Sequence, residues 1–280
     1  MKLETFQPTG SFKVRGALAA VARALKDDRG GRVVTASAGN HGLGVAYAAR
    51  TLGMSATIVV PESVSPAKLE KLQRLSDDRV GVVIHGSGYD EAEKYALSLP
   101  GRFVSAYNDP DVIAGQGSIA TELFDQMPET AVIVAPTGGG GLLAGVALAS
   151  SHKHAVHVVG VEAEASPAVG KSVAAGRVVE LIEERTIADG LAGNIEPGSV
   201  TIPIISRYVE DIAAVSEAAL RKAIALLVTE HGLVAEASGA AGVAAISEGL
   251  VKRSGGPTVI IVSGRNISTT LLAEILAEQT

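Results

Sequence analysis

Short apolar runs rich in β-branched residues alternate along the chain with longer stretches rich in alanine and leucine. Most of the short runs are apolar at nearly every position, which is typical of parallel strands covered on both faces. We expect strands at residues 32–36, 56–60, 80–84, 131–135, 156–161 and 258–262. Strands that alternate with helices predict an α/β protein with a mainly parallel sheet.

The longer stretches have the spacing of helices that bury one face or more. We expect helices at residues 42–52, 66–75, 89–99, 115–127, 142–150, 217–231, 239–249 and 269–278, and one that begins near Lys13 and ends near Leu25. Ser216 directly precedes one of them and is a favourable N-cap residue. No low-complexity tract or linker divides the chain.

Composition and charge exclude several classes of partner. A net charge of −6 argues against nucleic acid and against an anionic membrane surface. The absence of cysteine excludes disulfides and thiolate metal sites, and it fits a reducing cytoplasm, where we expect the protein. An uncharged stretch at residues 131–151 is interrupted by Pro136 and four glycines, so we expect no membrane span. The remaining expectation is a protein that binds a small molecule.

Four glycine-containing turns lie where a ligand would bind in an open α/β sheet, after a strand or at the start of a helix. They comprise residues 9–17, 37–42, 137–142 and 263–266. The turn at 137–142 contains four consecutive glycines before a helix, which favours a phosphate-binding loop. The turn at 37–42 could bind an anion in the same way, although His41 there could equally be a capping residue without a chemical role.

Lys13 lies at the start of a predicted helix, where the helix dipole disfavours an ammonium group. A lysine that loses its proton easily suits Schiff-base chemistry. An ordinary exposed lysine in a first helical turn fits the same spacing, so spacing alone leaves both interpretations open. Glu162 and Glu164 follow a predicted strand and could offer oxygen ligands to a divalent cation.

Taken together and in this order, the four turns resemble those of the fold-type II pyridoxal-phosphate enzymes, in particular the threonine/serine dehydratase and serine racemase group. Residues 8–17 (Pro-Thr-Gly-Ser-Phe-Lys-Val-Arg-Gly-Ala) are similar to the family's cofactor-lysine motif. Residues 37–42 are similar to its asparagine loop, and residues 138–141 to its phosphate-binding tetraglycine. Residues 109–117 and 187–190 also match the family pattern.

The resemblance implies a tryptophan synthase β-like fold with two open, twisted α/β domains. Residues 1–31 and 109–280 would form a large cofactor-binding domain, and residues 32–108 a small substrate-binding domain. Relatives carry a further segment before the position of Lys2, so we expect the N-terminal segment of the fold to be missing. The family also implies a homodimer or homotetramer.

The resemblance also assigns site residues. Lys13 would bond covalently to pyridoxal 5'-phosphate and act as general base, and Ser263 would face the pyridine nitrogen; these two are the expected catalytic residues. The expected cofactor-binding residues are Lys13, Phe12, Asn40, Asn108, Gly138, Gly139, Gly140, Gly141, Leu142 and Ser263. The expected substrate-binding residues are Ser37, Gly39, Asn40, His41 and Glu236.

The implied activity is β-elimination of a β-hydroxy amino acid such as threonine or serine, which yields a 2-oxo acid and ammonia. Ala38 stands where racemases of the group carry a proton-donating serine, which favours a dehydratase. Of the family's cation ligands Glu162 is present but Ala168 replaces an aspartate, so a divalent cation is not firmly implied. Lys2 to Thr5 and Arg265 also depart from the threonine dehydratase pattern.

These departures leave alternatives open. One is a racemase, and another is a dehydratase for a different hydroxy amino acid, such as the hydroxyectoine-pathway type. A β-replacement enzyme and a truncated, non-catalytic paralogue are the others.

Overall fold

Two separate parallel sheets carry the fold in the computed structural model, which describes residues 1–27, 31–153, 156–182, 184–252 and 254–278. The strands are β1 (Lys2–Leu3), β2 (Arg32–Ala36), β3 (Ser55–Val60), β4 (Val80–Ile84), β5 (Arg102–Phe103), β6 (Val132–Pro136), β7 (His157–Ala163), β8 (Asp211–Val215) and β9 (Thr258–Val262). The α/β class predicted from the alternation of elements is confirmed.

Eleven helices of eight residues or more are present among the described residues. They are α1 (Lys13–Lys26), α2 (Asn40–Leu52), α3 (Pro66–Gln73), α4 (Tyr89–Ser98), α5 (Pro110–Gln126), α6 (Gly141–Ser150), α7 (Ala168–Ala175), α8 (Thr201–Tyr208), α9 (Glu217–His231), α10 (Ala237–Ser247) and α11 (Thr269–Ala277). None of the helices in these ranges is long and apolar enough to cross a membrane.

The chain divides into two compact units. The larger unit is Met1–Phe12 together with Gly117–Thr280, and the smaller unit is Lys13–Gln116. The larger unit holds a sheet of order β1-β9-β6-β7-β8, and the smaller unit a sheet of order β4-β3-β2-β5. Every strand pair in both sheets is parallel, so the carboxyl ends of the strands in each sheet lie at one edge.

The limits of the smaller unit differ from the expected domain at residues 32–108, because α1 and the first part of α5 pack with the smaller sheet. The apolar face of α1 is buried with α2 through Ala17, Ala20 and Val21. Glycines allow α1 and α5 to approach closely, since a Cβ added at Gly115 would lie 2.6 Å from the Cα of Gly16. That the units bind cofactor and substrate, respectively, stays a prediction.

Most of the predicted elements are found within two residues of their expected bounds. Strands β2, β4 and β9 and helix α9 are found as predicted, and Ser216 Oγ accepts the amide of Ala219 as the N-cap of α9. Helix α5 begins five residues earlier than expected, because Asp109 Oδ1 accepts the amide of Asp111 and Pro110 takes the first helical position. The sequence pattern missed β5, β8, α7 and α8, which are all eight residues or shorter.

The abundance of glycine and alanine has a packing explanation in α10. This helix is buried along nearly its whole length, and its residues are mostly alanine and glycine. A Cβ at Gly242 would lie 2.6 Å from Ile260 Cγ2 on β9, and one at Gly239 would overlap the carbonyl oxygen of Gly264. Small residues are therefore required where α10 crosses the sheet of the larger unit and the loop that follows β9.

A buried ionic network joins three elements of the smaller unit. The guanidinium of Arg102 on β5 donates to both carboxylate oxygens of Asp109, at 3.0 and 2.8 Å, and to Asp111 Oδ2 at 2.7 Å. It also donates to the carbonyl oxygen of Ala20 on α1 at 3.0 Å. Arg102 and Asp109 are both largely inaccessible to solvent. Removing one of them would leave the other as a buried, unpaired charge, which destabilises the fold.

We expect Arg102→Ala to lower the free energy of unfolding by about 3 kcal/mol, because two carboxylates would lose their buried counter-charge. Urea unfolding followed by circular dichroism measures the change. The matched control is Arg74→Ala, since Arg74 forms an exposed ion pair with Glu70 on α3 and its loss should cost less than about 0.5 kcal/mol. Equal effects of the two substitutions would contradict a structural role for the network.

Candidate active site

The lysine singled out from the sequence begins α1, as predicted. Its Nζ donates a hydrogen bond to the carbonyl oxygen of Ala106 at 2.7 Å, and the side chain is half-buried. The positive end of the helix dipole disfavours an ammonium at this position, whereas the carbonyl oxygen stabilises it. Ala106 lies in the stretch between β5 and α5, which had no sequence signal for this contact.

The turn after β2 places a short loop at the carboxyl edge of the smaller sheet. Ser37 Oγ accepts the amide of Gly39 at 3.2 Å, and α2 begins at Asn40 without a side-chain cap. A Cβ at Gly42 would overlap the carbonyl oxygen of Ser37, so this turn requires glycine. The amides of His41 and Gly42 donate to no acceptor in the described part of the chain, which leaves them available to an anion.

The imidazole of His41 is directed into the protein. Its Nε2 lies 2.9 Å from the carbonyl oxygen of Val104, so Nε2 carries the proton and donates, while Nδ1 is an unprotonated acceptor. Burial, together with the charge of Lys13, lowers the pKa of His41 to about 3, although the hydrogen bond to Val104 opposes the shift. A neutral ring with a bare nitrogen repels a carboxylate. The neutral ring therefore has no hydrogen-bond donor left for a substrate carboxylate. The expected role of His41 in substrate binding stays a prediction, and it rests on the main-chain amide.

The lowered pKa of His41 predicts a pH dependence of stability. Because the folded-state pKa lies below the unfolded value of 6.5, the contribution is present above pH 6.5 and is lost as the pH falls towards about 3. We expect wild type to lose stability relative to His41→Gln by up to about 1.4 kcal/mol per pH unit in that window. Urea unfolding of both proteins between about pH 4 and 8 measures the difference. Parallel curves would mean that the imidazole is not held neutral.

The tetraglycine turn of the larger unit joins the end of β6 to α6. Gly140 has a φ of 85° and is the N-cap residue of α6. The five amides of residues 138–142 donate to no acceptor among the described residues. Five free amides at the positive end of a helix are the arrangement that binds a phosphate group. This turn therefore fits the phosphate of pyridoxal phosphate.

Neighbouring segments leave no room for side chains in this turn. A Cβ at Gly138 would lie 2.8 Å from the carbonyl oxygen of Gly190, and one at Gly140 would lie 2.7 Å from Ile205 Cδ1. Thr201 Oγ1 donates to the carbonyl oxygen of Gly139 at 3.0 Å, which fixes the peptide orientation. Thr201 follows the turn by about sixty residues, and no local pattern marked it as a site residue.

We expect Gly138→Ala to weaken pyridoxal phosphate binding about tenfold or more, because the loop must shift away from Gly190 and lose amide contacts to the phosphate. Fluorescence or absorbance titration of the apoprotein measures the dissociation constant. Gly255→Ala is the matched control, since a Cβ at Gly255 has no neighbour within 4 Å. Unchanged binding by Gly138→Ala would argue against this turn as the phosphate site.

The loop after β9 holds the segment that precedes Lys13. The amide of Phe12 donates to the carbonyl oxygen of Ser263 at 2.9 Å, and the amide of Arg265 donates to that of Gly10 at 2.9 Å. Ser11 and Gly264 form an isolated antiparallel bridge between these hydrogen bonds. Ser263 is buried within this arrangement.

Glu236 lies beside the same loop. Its amide donates to the carbonyl oxygen of Gly264 at 3.0 Å, and it is the N-cap residue of α10 without a side-chain cap. A Cβ at Gly264 would overlap the Glu236 carboxylate, so glycine at position 264 makes room for that buried acid. Arg265, the departure noted from the sequence, is exposed, and its guanidinium lies 5.9 Å from the ring centroid of Phe6.

Several buried side-chain atoms have no hydrogen-bond partner within the described ranges. In the larger unit they include Thr9 Oγ1 and Ser11 Oγ, and in the smaller unit His41 Nδ1 and both amide atoms of Gln116. Buried polar atoms normally have a partner in native proteins. In the larger unit, Thr9 and Ser11 lie just before Lys13 in the chain. In the smaller unit, Gln116 lies against Gly16, which is one helical turn after Lys13.

Glu162, which the sequence offered as a possible cation ligand, accepts hydrogen bonds from the main chain. It is almost fully buried at the end of β7, and its Oε1 and Oε2 accept the amides of Val169 at 2.7 Å and Gly170 at 2.9 Å. Burial raises its pKa to about 7, although these two hydrogen bonds lower it. Both oxygens thus close the first turn of α7. No group of three or more His, Cys, Asp or Glu residues that could hold a metal ion occurs among the described residues.

The remaining expected residues lie as follows. Asn108 follows β5, and its amide donates to Ser105 Oγ at 3.1 Å, while Ala38 packs against the apolar core of the smaller unit. The smaller unit holds Lys13, Ser37, Gly39, Asn40, His41 and Asn108; the larger unit holds Phe12, Gly138, Gly139, Gly140, Gly141, Leu142, Glu162, Glu236 and Ser263.

Comparisons with known proteins show what this chain is similar to. Residues 1–264 match the family described as pyridoxal-phosphate dependent enzyme. The L-threonine ammonia-lyase of Thermotoga maritima is 39% identical over 281 residues, which cover 99% of this chain and 69% of that protein. Threonine deaminase isoform 2 from Solanum lycopersicum has a similar structure, with a TM-score of 0.90 and 31% identity over 100% of this chain and 78% of that one. Maize serine racemase is also similar, with a TM-score of 0.88 and 29% identity over 99% and 85% of the two chains.

Proposed function

Because the chain belongs to the family of pyridoxal-phosphate-dependent enzymes, we propose that it catalyses β-elimination of a β-hydroxy amino acid such as threonine or serine. The products are a 2-oxo acid and ammonia, since the water lost in the elimination is regained when the released enamine hydrolyses. The observation that carries the proposal is the 39% identity to an L-threonine ammonia-lyase over 99% of this chain, a span that includes all four turns.

The bound cofactor supplies an aldehyde that bonds to amino groups and a ring system that withdraws electrons from the substrate's α-carbon. Lys13 Nζ would hold the cofactor covalently, and as a free amine this nitrogen would take the proton from the substrate's α-carbon. The amides of residues 138–142 hold the phosphate group. Phe12, Asn40 and Asn108 contact the cofactor ring in this proposal.

Ser263 faces the pyridine nitrogen as a neutral hydroxyl. A hydroxyl does not enforce protonation of that nitrogen in the way a carboxylate would. A neutral Ser263 at this position would therefore favour loss of the β-hydroxyl over transamination. Glu236 completes the proposed pocket beside Ser263.

The substrate carboxylate is bound by the loop after β2. Ser37, Gly39 and Asn40 offer hydrogen-bond donors there, and His41 contributes its main-chain amide. The Ser37 hydroxyl oxygen accepts the amide of Gly39, and its O–H is still able to donate to another acceptor. The ring of His41 has another partner and takes no part in this contact.

Elimination is favoured over racemisation by Ala38. A racemase needs a second proton donor on the opposite face of the substrate. The methyl group of Ala38, which is partly buried against the core of the smaller unit, has no proton to give. Racemisation is the second candidate, since maize serine racemase is among the similar structures.

We expect purified protein to bind pyridoxal phosphate with the visible absorbance of a lysine-bound cofactor, and borohydride to trap it on Lys13. Such protein should release 2-oxo acid from L-threonine, L-serine or another member of a panel of hydroxy amino acids. Lys13→Ala should lower the rate about a thousandfold or more, whereas Lys26→Ala in the last turn of α1 should leave it unchanged.

Two outcomes would overturn this proposal. A wild-type protein that stays colourless with added cofactor would contradict the enzyme assignment. Formation of the D-enantiomer faster than 2-oxo acid would contradict the argument from Ala38 and support a racemase.

We further propose that the protein works in the cytoplasm as a homodimer or homotetramer, without a required divalent cation. The absence of cysteine supports the compartment. The engagement of both Glu162 oxygens with main-chain amides supports cation independence. Activity that survives EDTA unchanged is the expected result, and a loss restored by Mg²⁺ would contradict it. Light scattering measures the oligomeric state.

A further inference from the structure

A short stretch of main chain after β5 accepts hydrogen bonds from two residues of the candidate site. The carbonyl oxygen of Val104 accepts Nε2–H of His41 at 2.9 Å, and the carbonyl oxygen of Ala106 accepts Lys13 Nζ at 2.7 Å. Only Ser105 separates the two carbonyl residues, so a displacement of the first is transmitted to the second.

Other contacts hold the same stretch. The amide of Val104 donates to the carbonyl oxygen of Val34 on β2 at 2.8 Å, and Thr35 Oγ1 donates to the Val104 carbonyl oxygen at 2.9 Å. Ser105 Oγ accepts the amide of Asn108. The Val104 carbonyl oxygen thus has two side-chain donors, of which His41 comes from the first turn of α2 and Thr35 from β2.

We propose that His41 is a positioning residue for Lys13. Its Nε2–H fixes the Val104 carbonyl oxygen, and through Ser105 this contact sets the position of the Ala106 carbonyl oxygen, which accepts the hydrogen bond from Lys13 Nζ. This inference rests on one part of the proposed function, namely that Lys13 bonds to the cofactor. It assigns to the imidazole a task distinct from binding the substrate carboxylate.

Proton transfer is the alternative role for a histidine beside a catalytic lysine. A general base works best when its pKa lies near the operating pH. The pKa of His41 is lowered to about 3, so the ring is a weak base and stays neutral near pH 7. Its Nδ1 is also buried and has no partner within the described part of the chain. A fixed hydrogen-bond donor is the role that these properties suit.

A pair of amide substitutions separates positioning from proton transfer. In His41→Gln the side-chain amide nitrogen reaches the place of Nε2 and can still donate to the Val104 carbonyl oxygen, although it cannot exchange protons. In His41→Asn the shorter side chain places the amide near Nδ1, out of reach of that carbonyl. The two variants therefore differ in the hydrogen bond and share the loss of a titratable ring.

The readouts are the dissociation constant for pyridoxal phosphate and the rate at which the lysine-bound absorbance forms after mixing apoprotein with cofactor. Borohydride reduction and peptide mass spectrometry verify that the bond is to Lys13. We expect His41→Asn to weaken binding and slow bond formation about tenfold, and His41→Gln to stay within about threefold of wild type.

A control separates positioning from general destabilisation. Leu72→Ala removes a fully buried side chain of the smaller unit, so it should lower the melting temperature of the apoprotein and leave cofactor affinity at a folded temperature unchanged. Where His41→Asn does not fold, His41→Ser takes its place, since the serine hydroxyl is too short to reach the Val104 carbonyl oxygen and the smaller side chain crowds nothing.

Equal behaviour of His41→Gln and His41→Asn overturns the inference: if both match wild type, the hydrogen bond does not position Lys13, and if both are equally impaired, the ring itself is needed. Impairment by Leu72→Ala as strong as that by His41→Asn also overturns it. Failure of wild type to bind cofactor covalently is a different result, which contradicts the proposed function and not the placement of Ala106.

Discussion

The short main-chain bridge between residues 10–12 and the loop after β9 is the interaction on which the rest of the candidate site depends. The amide of Phe12 is hydrogen-bonded to Ser263, and the next residue in the chain is Lys13. Gly264 is part of the same bridge, and its lack of a side chain leaves room for the Glu236 carboxylate. Because main-chain hydrogen bonds depend little on side-chain identity, this bridge holds residues 10–12, which directly precede Lys13 in the chain.

Close packing of small residues is the second constraint. Where α10 crosses β9, and where α1 crosses α5, a single added Cβ would overlap main chain or a packed side chain. The high content of glycine and alanine in this chain is thus partly a consequence of how near its helices lie to their neighbours. The tetraglycine turn belongs to the same pattern, since Gly138 faces the main chain of Gly190 and leaves its own amide free.

Burial of ionisable groups shows how the fold selects roles among similar residues. His41 is held neutral by burial and by the charge of Lys13, so it acts as a donor and not as an acid or base. Glu162 is buried as well, yet its two carboxylate oxygens accept hydrogen bonds from two amides of α7. In Arg102 and Asp109 the opposite charges meet, and the pair holds the segment that leads to Asn108 and α5. The environment of each group, and not its residue type, decides what it does.

The sequence by itself determined the element pattern and the four glycine turns. Hydrophobic periodicity and glycine content act over a few residues, so strands such as β2 and the position of Lys13 at the start of α1 could be predicted from local pattern. Only the tertiary structure decided that the Ala106 carbonyl oxygen accepts a hydrogen bond from Lys13 and that Thr201 donates to Gly139. It also decided that the ring of His41 points to the Val104 carbonyl oxygen. Those partners lie about sixty to ninety residues apart in the sequence, and such contacts arise when distant segments are brought together by burial of apolar surface, which no local pattern encodes.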